Sequence, residues 1–377
     1  MSSGPTSPSV PGRVARRPWD AVPGLWKFGC ALAILLGHNL VTLKAWHPEN
    51  EVWRGLFQVL QVFSPLQFFF FSGYFAASGL LDISRSLPAF MMARGARIYV
   101  LVVAAFAWGL GMRLATAKLS GGVESLGSIW PLGCWDGPVD WRDALMHLSP
   151  FGFADHTRFN YATWYLYQEL RIVLLFPLFR WILNRRSSLE RWGWTGFLMV
   201  VAALLEYKFW SFFPLFRSSP FQSLAYGCYF LAGSLVWMEL RRPESASAPK
   251  GLAVLALVIG VAIESLDAFG IQLHLSNPPV LMVPTLIGQI LIFWALKLLV
   301  KDVEVAGWLR RACVWSVGIY IMHPPLHVLA TWIAVSIGNA WPLLVEMLLA
   351  IVVGALFHRF VEQPSQGWVK AIRSTTS

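Results

Sequence analysis

The sequence predicts an all-α polytopic membrane protein, a bundle of about ten transmembrane helices with both termini cytoplasmic. Three observations lead there. The chain of 377 residues is 56% hydrophobic and only 13% charged, too little charge to cover the surface of a soluble domain of that size. Apolar runs near 20 residues recur along its length, and about 20 residues are what a helix needs to cross the hydrocarbon layer. The cations between those runs fall into two sets that alternate loop by loop.

The chain opens with residues 1–20, rich in Ser, Pro and Arg, which read as a disordered cytoplasmic tail. No cleavable signal peptide is evident, because the first apolar run lacks a small-residue cleavage site and many spans follow. The membrane domain occupies residues 21–365, and residues 366–377 form a second cytoplasmic tail. Spans are expected at 25–43, 57–80, 97–114, 163–183, 193–211, 221–240, 251–269, 280–300, 313–336 and 341–360. One side of the membrane receives Arg16 and Arg17, then Arg94 and Arg97, then Arg185 and Arg186, then Arg241 and Arg242, then Arg310 and Arg311. The other receives Lys44, Arg54, Lys118 and Arg142, and its last two loops carry no Lys or Arg. The cation-rich side is the cytoplasm, and the alternation requires an even number of spans.

Net charge is +10 with a sequence pI near 9.7. In this setting the excess is topological and gives no reason to expect a nucleic-acid partner; the surrounding lipids are the expected contact. The four cysteines are scattered without a CxxC or a disulfide framework. The longest outer segment, 115–162, contains Trp130, Trp135, Trp141, His147, Asp155 and His156. It is either a cover over an outward-facing acceptor site or an interfacial aromatic loop.

The stretch LWKFGCALAILLGHNLVTL (25–43) carries the first candidates. Lys27 and His38 are eleven residues apart, about three helical turns, so they share a face and lie about 16 Å apart along the axis. His38 is then about 10 Å from the outer edge, where an ionisable side chain is a functional candidate by default. It is either a general base or a structural histidine bonded to a neighbouring helix. Glu169 enters the membrane to a similar depth and is a candidate to orient His38; Arg171 competes for it. Arg94 and Arg97, three apart at the start of the third span, share one helix face. There they either bind phosphate, aided by helix-terminal N–H groups, or anchor to anionic lipid. His323 and His327 flank Pro324 and Pro325, and the prolines are expected to bend or break that helix. His323 either lines a cavity or satisfies backbone groups freed there. No HExxH is present, and no metal site is expected. GxSxG, P-loop and dinucleotide-binding patterns are also absent. The run Phe68–Phe71 either surrounds an acyl chain or is core or lipid-facing surface.

Together these pieces resemble the acyltransferase family 3 membrane proteins, bacterial O-acyltransferases of cell-surface glycans. Lys27 to His38 is similar to the family's R-X10-H, FFFFSGYF (68–75) to its FF-x-x-SGF, Arg94-Gly-Ala-Arg97 to its R-x-x-R, and SVGIYIMHPP (316–325) to its S-x-G-I-Y-L-x-H-x-P. WYL (164–166) and HRFVEQP (358–364) resemble two shorter family patterns. The likeness spans nearly the whole chain, in family order. One departure is Lys27 in place of Arg, which keeps the charge and loses the bidentate fork. The hydrolase-like domain that some members carry is not seen.

The resemblance implies that acyl-CoA, with acetyl-CoA as the expected form, is the donor substrate and that no cofactor stays bound. It implies that Lys27, Arg94, Arg97, Trp164, Tyr320 and His323 bind substrate and that His38 does the chemistry; Glu169 joins it as a catalytic candidate by depth alone. The acceptor would be a hydroxyl of a glycan or lipid-linked sugar outside the bacterial inner membrane. A transporter or flippase of a lipid-linked glycan is the main alternative, although no inverted-repeat halves are evident; a non-catalytic membrane subunit or sensor is the third.

Overall fold

Where they are described, the expected spans fall largely on helix in the computed structural model, which describes residues 22–46, 66–82, 86–119, 135, 140–149, 159–209, 220–241, 249–268, 278–299 and 305–367. The tails 1–20 and 368–377, residues 57–65 of the expected second span, and Trp130, Asp155 and His156 lie outside the described residues. The helices are α1 (Val22–Trp46), α2 (Leu66–Leu81), α3 (Leu87–Leu119), α4 (Trp141–His147), α5 (Thr163–Val173), α6 (Phe176–Leu183) and α7 (Ser188–Phe209). They continue as α8 (Pro220–Leu240), α9 (Lys250–Ala268), α10 (Pro278–Leu299), α11 (Gly307–Cys313), α12 (Ser316–Ile337) and α13 (Trp341–Phe357). Four helical stretches among the described residues are long and apolar enough to cross a membrane: Val22–Leu43, Leu87–Leu119, Gly307–Ile337 and Trp341–Gly367. The described residues are thus helical with no strand among them, and the long apolar helices mark an integral membrane protein.

The site is held by α1, α3, α5, α12 and α13. Helix α1 packs on α12, α3 packs on α5 and α12, and α13 packs on α12. The α12–α13 contact is backbone-close because both partners lack a side chain. A Cβ on Gly318 would collide with the Gly354 carbonyl, and one on Gly354 with the backbone of Ile319. The same device joins α2 to α8 through Gly73 and Gly233. All four phenylalanines Phe68–Phe71 are buried, at 0–2% exposure. They are core, packed on Tyr165, Tyr226 and Phe293, not lipid-facing surface.

Three local expectations are corrected. Helix α12 runs unbroken through Pro324 and Pro325. Pro325 cannot donate to the carbonyl of Ile321, and Asn160 Nδ2 donates to it instead at 2.9 Å; Trp108 Nε1 adds a bond to the Met322 carbonyl at 3.0 Å. Imported donors therefore let the helix continue. Arg94 and Arg97 do not sit at a helix start, because α3 begins at Leu87. Their N–H groups are in the helix interior and are not among the unpaired N–H groups of a helix terminus. The segment 115–162 is not all loop: α3 extends to Leu119 and α4 covers Trp141–His147. His147 faces inward, fully buried, against Phe106, Phe159 and Tyr167.

Candidate active site

Two tiers lie along α1. The lower one is a cavity of about 500 Å³ whose lining includes Lys27, Arg94, Arg97 and Arg310 on one side of the charge balance and Glu169 and Glu362 on the other. The i, i+3 spacing of Arg94 and Arg97 does bring both into it. Arg94 donates from Nη2 to Ser72 Oγ at 2.6 Å and lies 3.6 Å from Glu169 Oε2. Its guanidinium lies over Phe176 and Phe230, with 5.8 and 5.4 Å to the ring centres, a setting that suits delocalised charge. Arg97 donates to Glu362 Oε1 at 2.6 Å. Lys27 lies 5.7 Å from the centre of the Phe68 ring.

Glu362 is delivered by a local change of helix pitch. Residues His358–Glu362 form a π-helical turn at the end of α13, closed by the Gln363 N–H donating to the His358 carbonyl. His358 Nδ1 and Glu362 Oε2 are 2.8 Å apart. The turn places both residues on the cavity wall, as such insertions commonly do at functional sites. With four fixed cations against two carboxylates, the cavity favours a multiply charged anion, and arginine forks suit phosphate.

Glu169 belongs to this lower tier. Tyr165 Oη donates to its Oε1 at 2.6 Å, and Arg94 is its other partner. Its described contacts include neither His38 nor Arg171, so the expected orienting role toward His38 is not what the structure assigns it. Equal depth along two helices did not bring the side chains together, because α5 packs on α3 and turns Glu169 toward Arg94.

The upper tier is a group of histidines. His38, half-buried on α1, has Nδ1 2.8 Å from Nε2 of His323 and 3.1 Å from the Tyr161 hydroxyl. The His38 and His323 rings are stacked at 5.0 Å between centres. His323 Nδ1 lies 3.2 Å from the Ile319 carbonyl, which can only accept. The network therefore assigns the protons: His323 donates from Nδ1, its Nε2 accepts from His38 Nδ1–H, and His38 Nε2 carries the lone pair of a base. Fully buried His327, one turn beyond, has Nδ1 3.1 Å from Glu346 Oε2 and Nε2 3.0 Å from Thr42 Oγ. Among the described residues, no group of three or more His, Cys, Asp or Glu could hold a metal ion.

Aromatic side chains join the tiers. Tyr165, on the cavity wall, packs on Phe68 and on Tyr320 at 5.6 Å between ring centres. Tyr320 then reaches His323 at 6.0 Å. Trp164 lies to one side, on Phe69 and Tyr226 at 5.9 and 5.7 Å. Neither Trp164 nor Tyr320 lines the cavity itself; they back its wall. Sequence reasoning missed Tyr161, Thr42, Glu346 and the cavity roles of Arg310 and His358. Glu346 had a readable signal, a lone carboxylate inside an otherwise apolar helix. Tyr161 had none.

A family model described as an acyltransferase domain matches residues 23–359, nearly the whole chain. No curated protein and no solved structure matches it.

Proposed function

Because the chain belongs to this acyltransferase domain family, we propose that it moves an acyl group, with acetyl as the first candidate, from cytoplasmic acyl-CoA to a hydroxyl of a glycan or lipid-linked sugar on the outer side of a bacterial inner membrane. The observation that carries the reading is the sharing of one helix, α1, by a cationic cavity at Lys27 and a histidine base at His38. The cavity would hold the donor's phosphates on Lys27, Arg94, Arg97 and Arg310. The thioester arm would run along the Phe68–Tyr165–Tyr320 wall toward His323.

His38 would then take the proton of the acceptor hydroxyl on Nε2 as the acyl carbon is attacked, ordinary general-base acyl transfer contributing about 10²–10⁴-fold in rate. His323 and Tyr161 hold its Nδ1 side and so fix which nitrogen is basic. Positive charge in the cavity suits an anionic donor. Surrounding lipids complete the bundle's outer face, and no bound cofactor is needed for these steps.

The test is acetyl-CoA binding to purified protein in lipid nanodiscs, together with multiple-turnover CoA release in membranes of the expressing cells, which supply the acceptor. Release that depends on His38 supports the reading. Absence of both release and donor binding rejects it and favours transport of a lipid-linked glycan.

A further inference from the structure

Helix α13 carries Glu346 in an apolar sequence, WPLLVEMLLAIVVGALF, and the side chain is 1% exposed. A carboxylate buried inside a membrane bundle is costly unless it is paired. Its Oε2 meets His327 Nδ1 at 3.1 Å, while its Oε1 has no hydrogen-bond partner among the described residues. His327 is itself fully buried, and its Nε2 lies 3.0 Å from Thr42 Oγ. A carboxylate accepts from an imidazole N–H, so His327 donates from Nδ1 and its Nε2 accepts from the threonine hydroxyl. The order is carboxylate, imidazole, hydroxyl: an activated nucleophile with its base and the group that orients the base.

Position adds a second argument. Thr42 follows His38 by four residues on α1, one turn further from the cavity. It is fifteen residues from Lys27, about 22 Å along the axis, on the far side of the histidines from the donor cavity. A carrier held between the two faces lets donor and acceptor each stay on its own side of the membrane.

We propose that Thr42 is that carrier, a nucleophile that holds the acyl group as an ester between donor and acceptor, with His327 as its base and Glu346 as the positioning residue. The proposal rests on the acyltransferase reading above. In the first step Thr42 Oγ attacks the thioester carbonyl. Its proton passes to His327 Nε2 and on to the departing CoA sulfur, so the C–S bond breaks as the C–O bond forms. In the second step the acceptor oxygen attacks the threonyl ester. His38 takes the acceptor's proton and returns it to Thr42 Oγ as that bond breaks, restoring the free hydroxyl. His327 on α12 serves the first half of the reaction and His38 on α1 the second, while His323, one turn from His327, fixes the tautomer of His38.

The experiment uses the full chain in membranes of the expressing cells and, purified, in nanodiscs. Acetyl-CoA and succinyl-CoA are the probes. After an acid quench, mass spectrometry should find one acyl group on the peptide bearing Thr42, removable by hydroxylamine. Thr42→Val should lose both that label and acyl transfer, while Thr42→Ser should keep both. Glu346→Gln should slow label formation at least tenfold while leaving acyl-CoA affinity and thermal stability near wild type, a split that a purely structural role would not give. CoA release without acylation of Thr42, or wild-type transfer by Thr42→Val, overturns the carrier and leaves the acyltransferase reading standing. No CoA release from either donor overturns both.

Discussion

His38 Nδ1 and His323 Nε2 lie 2.8 Å apart across the α1–α12 contact, from residues 285 positions apart in the chain. The bond turns the lone pair of His38 to Nε2, because His323 has already committed its own Nδ1 proton to the Ile319 carbonyl. His323→Phe keeps a stacked ring and removes the acceptor. It should lower turnover about 10²-fold, from loss of the tautomer, with donor affinity unchanged. Steady-state CoA release together with acetyl-CoA titration reads both quantities. A rise in donor Kd with unchanged turnover would place His323 in donor binding instead.

Arg94 and Arg97 occupy unequal settings. Arg94 lies over the Phe176 and Phe230 rings and is bonded to Ser72, whereas Arg97 is half-exposed against Glu362. Arg94→Ala should therefore cost packing as well as charge, while Arg97→Ala should mainly weaken acyl-CoA binding, by about tenfold or about 1.4 kcal/mol. Calorimetric titration of each variant with acetyl-CoA checks this. Unchanged affinity in both would return the pair to lipid anchoring.

The unbroken course of α12 depends on Asn160. Asn160→Ala leaves the Ile321 carbonyl without that side-chain donor and should destabilise the protein by about 1–3 kcal/mol. Adding Pro325→Ala restores a backbone N–H at the right place and should recover much of the loss. Thermal denaturation in detergent compares the single and double variants. Failure of the second substitution to help would show that Asn160 acts elsewhere.

Gly354→Leu should separate α13 from α12, because even a Cβ there meets the backbone of Ile319. The expected cost is about 1–3 kcal/mol or more, together with loss of activity as Glu346 moves from His327. Melting temperature and CoA release should fall together. Wild-type stability would mean that the helices are not in backbone contact.

Much of this arrangement is legible in the sequence. Hydropathy marks the helices, and the eleven-residue spacing of Lys27 and His38 puts them on one face, with a cavity at one and the histidine group at the other. What the sequence hides is pairing between helices. Glu169 has the right depth for His38 and the wrong direction, since depth is one coordinate and packing sets the others. The prolines of α12 read as a break because their missing N–H groups are visible in the sequence and the distant Asn160 side chain that replaces one is not. His327 and Glu346 are nineteen residues apart on two helices, and only the Gly318–Gly354 contact shows why they meet.

The central claim is that a histidine on α1 catalyses transfer from acyl-CoA. It is tested most directly by following multiple-turnover release of free CoA from labelled acetyl-CoA in membranes of the expressing cells, which supply the acceptor, with wild type and His38→Ala compared at equal protein. The account predicts release by wild type and a loss of at least about 10²-fold in His38→Ala, with acetyl-CoA affinity preserved because the cavity is intact. Equal release by the two proteins would contradict it.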